Sequence, residues 1–218
     1  MDKILTFDCY GTLLDTSPLY THISLAAEKN GISGDRAKGI FINYEDRLMY
    51  GEDYIPYIDL LRYALEYCDM ELNTNIFEAE WQNVLNIHKK FMPYPDVLAP
   101  LKRLKDSGCR LYIMSNSMHS IMNWHLEALD HIIDDVILAE DTHCYKPSLD
   151  FFHYAQTKLC LDNTEHCHIA AGYWWDIVPC SKLNWNKVWV NRRNFRGSKR
   201  HQPYKEIHNL TELLNFIF

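Results

Sequence analysis

No CxxC pair occurs anywhere in the chain, and the seven cysteines are an odd set. That pattern argues for free thiols in a reducing compartment rather than a disulfide framework. Long apolar runs are also missing. Stretches such as LYIM ahead of Ser115 are far too short to span a bilayer. The start, MDKILTFDCYG, has no apolar signal core and no small-residue cleavage site. The expectation is a cytoplasmic protein with no secretion signal and no membrane partner. Positive charge is not in excess either: 22 Lys and Arg against 29 Asp and Glu leave a net charge of −7. The surface as a whole therefore has no electrostatic reason to bind nucleic acid. Internal repeats and low-complexity segments are absent. What is present is a 218-residue chain, 47% hydrophobic and 23% charged. That is ordinary for a soluble globular protein of one large domain, or one domain with a sizeable insertion.

KILTF (Lys3–Phe7) is short and apolar on both faces, as a buried parallel strand should be. It ends at Asp8, before a turn containing Gly11. From about Ser17 to Met92 the apolar residues recur at helical spacing in four blocks. These are Leu19/Ile23/Ala26/Ala27, Phe41/Tyr44/Leu48/Met49, Ile58/Leu61/Leu65/Cys68 and Phe77/Trp81/Val84/Leu85/His88. Gly31, Gly51, Asn73-Thr74-Asn75 and Pro93 close the blocks. Beyond Pro93, helices and strands alternate. Helices are expected over 97–105, 120–129, 148–159, 176–183 and 211–218, and strands over 110–114, 136–139, 168–171 and 187–190. Alternation of this kind means a parallel sheet covered by helices. The expected fold is therefore α/β: a Rossmann-like, doubly wound core (1–15 and 93–218) with an all-helical cap (16–92) inserted after the first strand.

Ligands of open parallel sheets bind beyond the carboxyl ends of the strands. Asp8, Ser115, Lys146 and Asp176 all fall at or just past such ends. An acid, a hydroxyl, a cation and a second acid are what an anionic reaction requires, and the helical insertion is placed to roof them.

FDCYGTLLD, IMSNS, CYKPS and GYWWDIVPCSKLNWNKVWVNRR, in this order, resemble the four motifs of the haloacid dehalogenase superfamily, over essentially the whole chain. The nearest branch is the type II 2-haloacid dehalogenase-like proteins, with an aspartate-x-tyrosine-glycine-threonine first motif and a helical cap. The resemblance implies a hydrolase in which Asp8 attacks the substrate and forms a covalent aspartyl intermediate that water then hydrolyses. Thr12 would orient that carboxylate, and Ser115 and Asn116 would hydrogen-bond substrate or intermediate. Lys146 would neutralise charge beside the nucleophile, and Asp176 would place the hydrolytic water. The resemblance further implies a small-molecule substrate and, since related proteins are often dimers, a homodimer.

Two missing acids bear on the reaction. Phosphatases of the superfamily carry an acid two residues after the nucleophile, where this chain has Tyr10. An ordinary phenol titrates near ~10 and suits general-acid work less well than a tuned carboxyl. They also open the fourth motif with a magnesium-binding acid, where this chain has Ala171. A halide leaving group needs neither proton nor metal, whereas an alkoxide leaving phosphorus benefits from both. The reading therefore leans to metal-independent hydrolysis of a carbon–halogen bond in a small organic acid, with no cofactor. The alternatives are a Mg²⁺-dependent phosphatase, using Asp8, the Tyr10 backbone carbonyl and Asp176 as ligands, and a binding protein that kept the fold without the reaction.

The branch's halide and carboxylate contacts are mostly replaced. Its cap arginine aligns with Tyr44, with Arg47 nearby as a substitute. A tyrosine after the motif lysine becomes Phe152, and the fourth motif's serine and asparagine become Ala171 and Tyr173. Substrate contact is thus expected from Tyr10, Thr12, Asn116, Arg47 and Tyr173. DIVPC (Asp176–Cys180) looks like a variant fourth motif, histidine-aspartate-x-x-proline-alanine, found in members of unsettled substrate.

Other features read as structure. HCH (His166–His168) puts two imidazoles on one face of a strand but has no third ligand at metal spacing. Cys9 suits a small packed apolar residue. Trp174 and Trp175 read mainly as core, and Tyr50, Tyr54 and Tyr57 as core or cap interface. The basic run 191–205 reads as a solvated loop.

Overall fold

The computed structural model describes residues 3–51 and 53–217. Its main elements are β1 (Ile4–Phe7), α1 (Ser17–Glu28), α2 (Gly34–Met49), α3 (Tyr57–Leu72), α4 (Trp81–His88), α5 (Leu98–Asp106), β2 (Arg110–Ser115) and α6 (His119–Ala128). There follow β3 (Asp135–Leu138), α7 (Ala139–Thr142), α8 (Leu149–Lys158), β4 (His166–Ala170), α9 (Val178–Lys182), β5 (Lys187–Val190), β6 (Lys205–Ile207) and α10 (Leu214–Ile217). They group into two compact units. One comprises Met1–Asp15, Met92–Asn116 and Leu126–Phe218, and the other Thr16–Phe91 with Ser117–His125.

The first unit is built on a six-stranded sheet in the order β3-β2-β1-β4-β5-β6. Each adjacent pair is parallel. This is the doubly wound arrangement, and its order reverses between β1 and β4. β1 is the reason the sheet has a centre: Ile4, Leu5 and Phe7 are all buried, each worth roughly 1.5–3 kcal/mol of apolar burial. The chain leaves β1 at Asp8 and turns at Gly11, whose φ of +77° favours glycine. The turn is held by the Gly11 N–H on the Leu14 carbonyl at 2.8 Å.

The second unit is helical. In α1 the buried residues are Leu19, Ile23, Ala26 and Ala27, the face expected from their spacing. Ser33 caps α2 by accepting from the Arg36 N–H. Asn73, in the left-handed region at φ 51°, ends α3. The interior is not purely apolar. Glu45 accepts from Tyr20 Oη at 3.1 Å and Tyr57 Oη at 3.2 Å, and Tyr57 Oη meets His88 Nε2 at 3.1 Å. His125 Nε2 lies 2.9 Å from the His88 carbonyl. That bond, with Lys89 over the Trp124 ring at 4.1 Å, shows why Ser117–His125 groups with the helices rather than with the sheet.

Several expected boundaries shift for identifiable reasons. The fourth helical block begins as a 3₁₀ turn (Glu78–Glu80) before α4. The segment expected as a helix from Asp176 instead opens with a π-helical turn (Tyr173–Ile177), and α9 starts only at Val178. The final helix is preceded by a 3₁₀ stretch (Leu210–Leu213), and Phe218 lies outside the described residues. The basic run is not simply a solvated loop. Its end enters the sheet as β6, beside β5, and Arg192 is tied down by Asp96 Oδ1 at 3.0 Å and the Thr12 carbonyl at 2.9 Å. Trp174 and Tyr50 are exposed rather than packed.

Candidate active site

Asp8 lies one residue beyond β1, and Asp176 lies in the π-helical turn after β4, the two strands that flank the reversal of strand order. Lys146 joins them. Its Nζ donates to Asp8 Oδ1 at 2.8 Å, Asp176 Oδ1 at 2.6 Å and the Met114 carbonyl at 2.9 Å. An ammonium has three protons, and here each has an acceptor. Lys146 is 2% exposed and Asp176 0%, so both charges rely on this pairing rather than on water.

The second oxygen of Asp8 is also held. Thr12 Oγ1 donates to Asp8 Oδ2 at 2.5 Å and accepts from the Ala171 N–H at 2.7 Å. The Asp8 carboxylate is thus oriented from both sides.

Burial is the largest influence on all three ionisable groups, but it does not win everywhere. Asp8 is raised above the usual carboxylate range by burial and by the like charge of Asp176, against the pull of Lys146. Asp176 is lowered, because Lys146 and His168 together outweigh the cost of burying its charge. Lys146 is raised: burial disfavours its charge, and the two carboxylates more than restore it. The cluster therefore carries two carboxylates on one ammonium, with Asp8 the first to take up a proton as pH falls.

Gly172 explains why the turn can bring Asp176 so close. A Cβ at position 172 would stand 2.4 Å from Asp176 Oδ2, a separation that would force the carboxylate to move. Asp176 Oδ1 accepts from Lys146 and from His168 Nε2 at 3.1 Å. Oδ2 has no protein hydrogen bond. Ser115, at the end of β2, likewise has a buried Oγ without a protein partner. Such groups need a partner from somewhere, and bound water or ligand is the natural one.

Other predicted residues have different surroundings. Asn116 grips the loop that carries Lys146: its Nδ2 donates to the Lys146 carbonyl at 3.0 Å, and its Oδ1 accepts from the Lys146 N–H at 2.7 Å. Tyr173 Oη donates to the Ser198 carbonyl at 3.1 Å and accepts from the Ser198 N–H at 2.8 Å. Its ring packs on Trp189 at 4.8 Å. It anchors the basic segment. Tyr10 follows Cys9 in the turn and is only partly buried. Arg47 belongs to the helical unit, with its guanidinium 5.2 Å from the Tyr44 ring. Cys9 and Phe152 are fully buried.

Sequence reasoning missed the polar groups behind Asp176. His168 touches Asp176 directly, and Thr6 Oγ1 lies 2.8 Å from both His166 Nε2 and His168 Nδ1. Two signals could have found them. HCH puts both imidazoles on one strand face, and Thr6 is the one polar residue in KILTF with the same parity as Asp8.

Residues 3–178 match the family model of the haloacid dehalogenase-like hydrolases. The chain is 26% identical to (S)-2-haloacid dehalogenase 4A of Burkholderia cepacia, over 97% of this chain and 93% of that one. It is 25% identical to glyceraldehyde 3-phosphate phosphatase of Methanocaldococcus jannaschii, over 100% and 97%. It shares its fold with the L-2-haloacid dehalogenase of Xanthobacter autotrophicus, with a TM-score of 0.83, 18% identity and coverage of 100% and 98%. Together the strand order and the family match place this chain among the haloacid dehalogenase-like hydrolases.

Proposed function

We propose that this hydrolase cleaves the carbon–halogen bond of a small 2-haloacid through an ester on Asp8, without a metal. The observation that carries the reading is the Lys146 ammonium held between Asp8 and Asp176, with an alanine at position 171. Magnesium in the phosphatase alternative would draw on Asp8, the Tyr10 carbonyl and Asp176. An octahedral ion needs hard oxygen ligands all round it. Here the Oδ1 atoms of both carboxylates are taken by an ammonium, and position 171 offers a methyl group. This donor set does not fit magnesium. The similarity to the Burkholderia enzyme supports the choice of substrate.

In this reading the Asp8 carboxylate displaces halide from carbon, forming an alkyl–oxygen bond as the carbon–halogen bond breaks. Water then adds to the Asp8 carbonyl carbon and gives one proton to Asp176. The acyl carbon–oxygen bond breaks, the alkoxide takes the second proton and leaves as a 2-hydroxy acid, and Asp176 returns its proton to solvent. Ser115 Oγ hydrogen-bonds the anionic substrate. The free thiols of all seven cysteines fit action in the reducing cytoplasm.

The test is single turnover of (S)-2-chloropropionate in ¹⁸O water with EDTA present, with mass analysis of the Asp8 peptide. Halide release and label in Asp8 are expected. No halide, with phosphate released from phosphorylated metabolites only on addition of Mg²⁺, would overturn the reading in favour of the phosphatase.

A further inference from the structure

The hydrogen bonds behind Asp176 run in one chain: His166 Nε2, Thr6 Oγ1, His168 Nδ1, then His168 Nε2 to Asp176 Oδ1. All four residues are at most 2% exposed. β1 and β4 are parallel, with Thr6 paired to His168. Residues 166, 168 and 6 therefore share one face of the sheet.

The direction of the chain follows from donor and acceptor chemistry. An ionised carboxylate only accepts, so His168 Nε2 carries the proton. In one direction His168 Nδ1 accepts from the Thr6 hydroxyl, and Thr6 accepts from His166 Nε2–H. What is left bare is the lone pair of His166 Nδ1, which has no protein partner. Running the chain the other way would leave a buried N–H without an acceptor, the less tolerated defect. Burial and its neighbour His168 push His166 down to about 3, consistent with a neutral ring. The aromatic wall around the pair is Trp185, 4.7 Å from His166 and 6.4 Å from His168, with Phe152 6.2 Å from His168.

We propose that His168, locked in its Nε2–H tautomer by Thr6 and His166, is a positioning residue for Asp176. It saturates Oδ1 together with Lys146, so that Oδ2 is the oxygen left to take the proton from water. This rests on the reading of Asp176 above. His168 does not touch substrate. It acts by fixing which oxygen of Asp176 is available and where that oxygen points.

Long-range ¹H–¹⁵N spectra of the wild-type protein at neutral pH test the tautomer, with His168→Gln used to assign the signal. A neutral ring protonated on Nε2 is expected, and a ring protonated on Nδ1 overturns the proposal. Kinetics test the role. With (S)-2-chloropropionate, His168→Leu should slow hydrolysis of the Asp8 ester by about tenfold or more, while ester formation stays within about twofold. The ester then accumulates and kcat falls more than KM changes. His168→Gln, whose amide nitrogen can reach the place of Nε2, should restore most of the loss. Equal slowing of both steps, or no rescue by Gln, would assign His168 a purely structural role. If the wild type forms no Asp8 ester at all, the dehalogenase reading fails by itself, and the tautomer still decides whether His168 orients Asp176.

Discussion

Each unit of this protein buries an acid, and the two acids are treated differently. Asp176 in the sheet unit has an ammonium and an imidazole N–H, and its affinity for protons falls below that of an ordinary carboxyl. Glu45 in the helical unit accepts from two tyrosine hydroxyls. Burial, only partly offset by the tyrosines, pushes it up to about 7. Hydrogen bonds from two neutral hydroxyls leave Glu45 raised, whereas the ammonium and the imidazole together keep Asp176 lowered. One acid is kept charged between two polar partners, and the other sits near its titration point inside a packed interior.

The largest effect should come from removing the cation. Lys146→Ala leaves two carboxylates buried without a counter-charge. It should abolish halide release and cost about 3–5 kcal/mol in urea unfolding. Gly172→Ala keeps every charge but pushes a methyl into Asp176 Oδ2. Displacements of this size cost roughly 100-fold in rate, so kcat should fall steeply while the melting temperature moves little. Glu45→Gln tests the other side of the comparison. The folded state holds the Glu45 proton up to about pH 7, whereas the unfolded chain releases it near the ordinary value of 4.5. Wild-type stability therefore declines as pH rises from 4.5 to 7, and the loss is complete above 7, on the order of 3 kcal/mol. The Gln variant should lack this decline, and unfolding at pH 5 and pH 8 would show it. Tyr173→Phe touches neither acid. Losing its bonds to Ser198 should cost about 1 kcal/mol with kcat and KM unchanged. A rise in KM instead would return Tyr173 to the substrate.

How much of this was legible in the sequence differs by kind of information. The sheet unit announces itself because helices and strands alternate, and because Asp8, Ser115 and Asp176 each follow a short apolar run. Periodicity reports which residues are buried, so α1 came out with its interior face right. It says little about where a side chain's polar end goes. Asn116 and Tyr173 sit in the motif segments, yet their hydrogen bonds go to the backbone of Lys146 and Ser198, far away in sequence. β6 is three residues long, with two of them exposed, too short and polar to show a strand period. α9 starts later than the pattern from Asp176 suggests, because the π-helical turn ahead of it keeps helical-looking residues while adding one to the turn. The spacing within HCH speaks only to metal ligation and carries no sign of the carboxylate eight residues on that His168 meets.

Lys146 sits on the loop after β3 and α7 and is bonded to the ends of β1 and β2 and to the turn after β4. It is the knot that ties the carboxyl ends of the central strands together. Removing the cation alone would leave its two carboxylates buried and unpaired, a cost in stability that does not depend on any reaction. A relative without the reaction would still incur that cost on losing Lys146 alone. Retention of these motif residues in a distant relative is therefore no report of activity by itself, and halide release has to be measured rather than inferred from them.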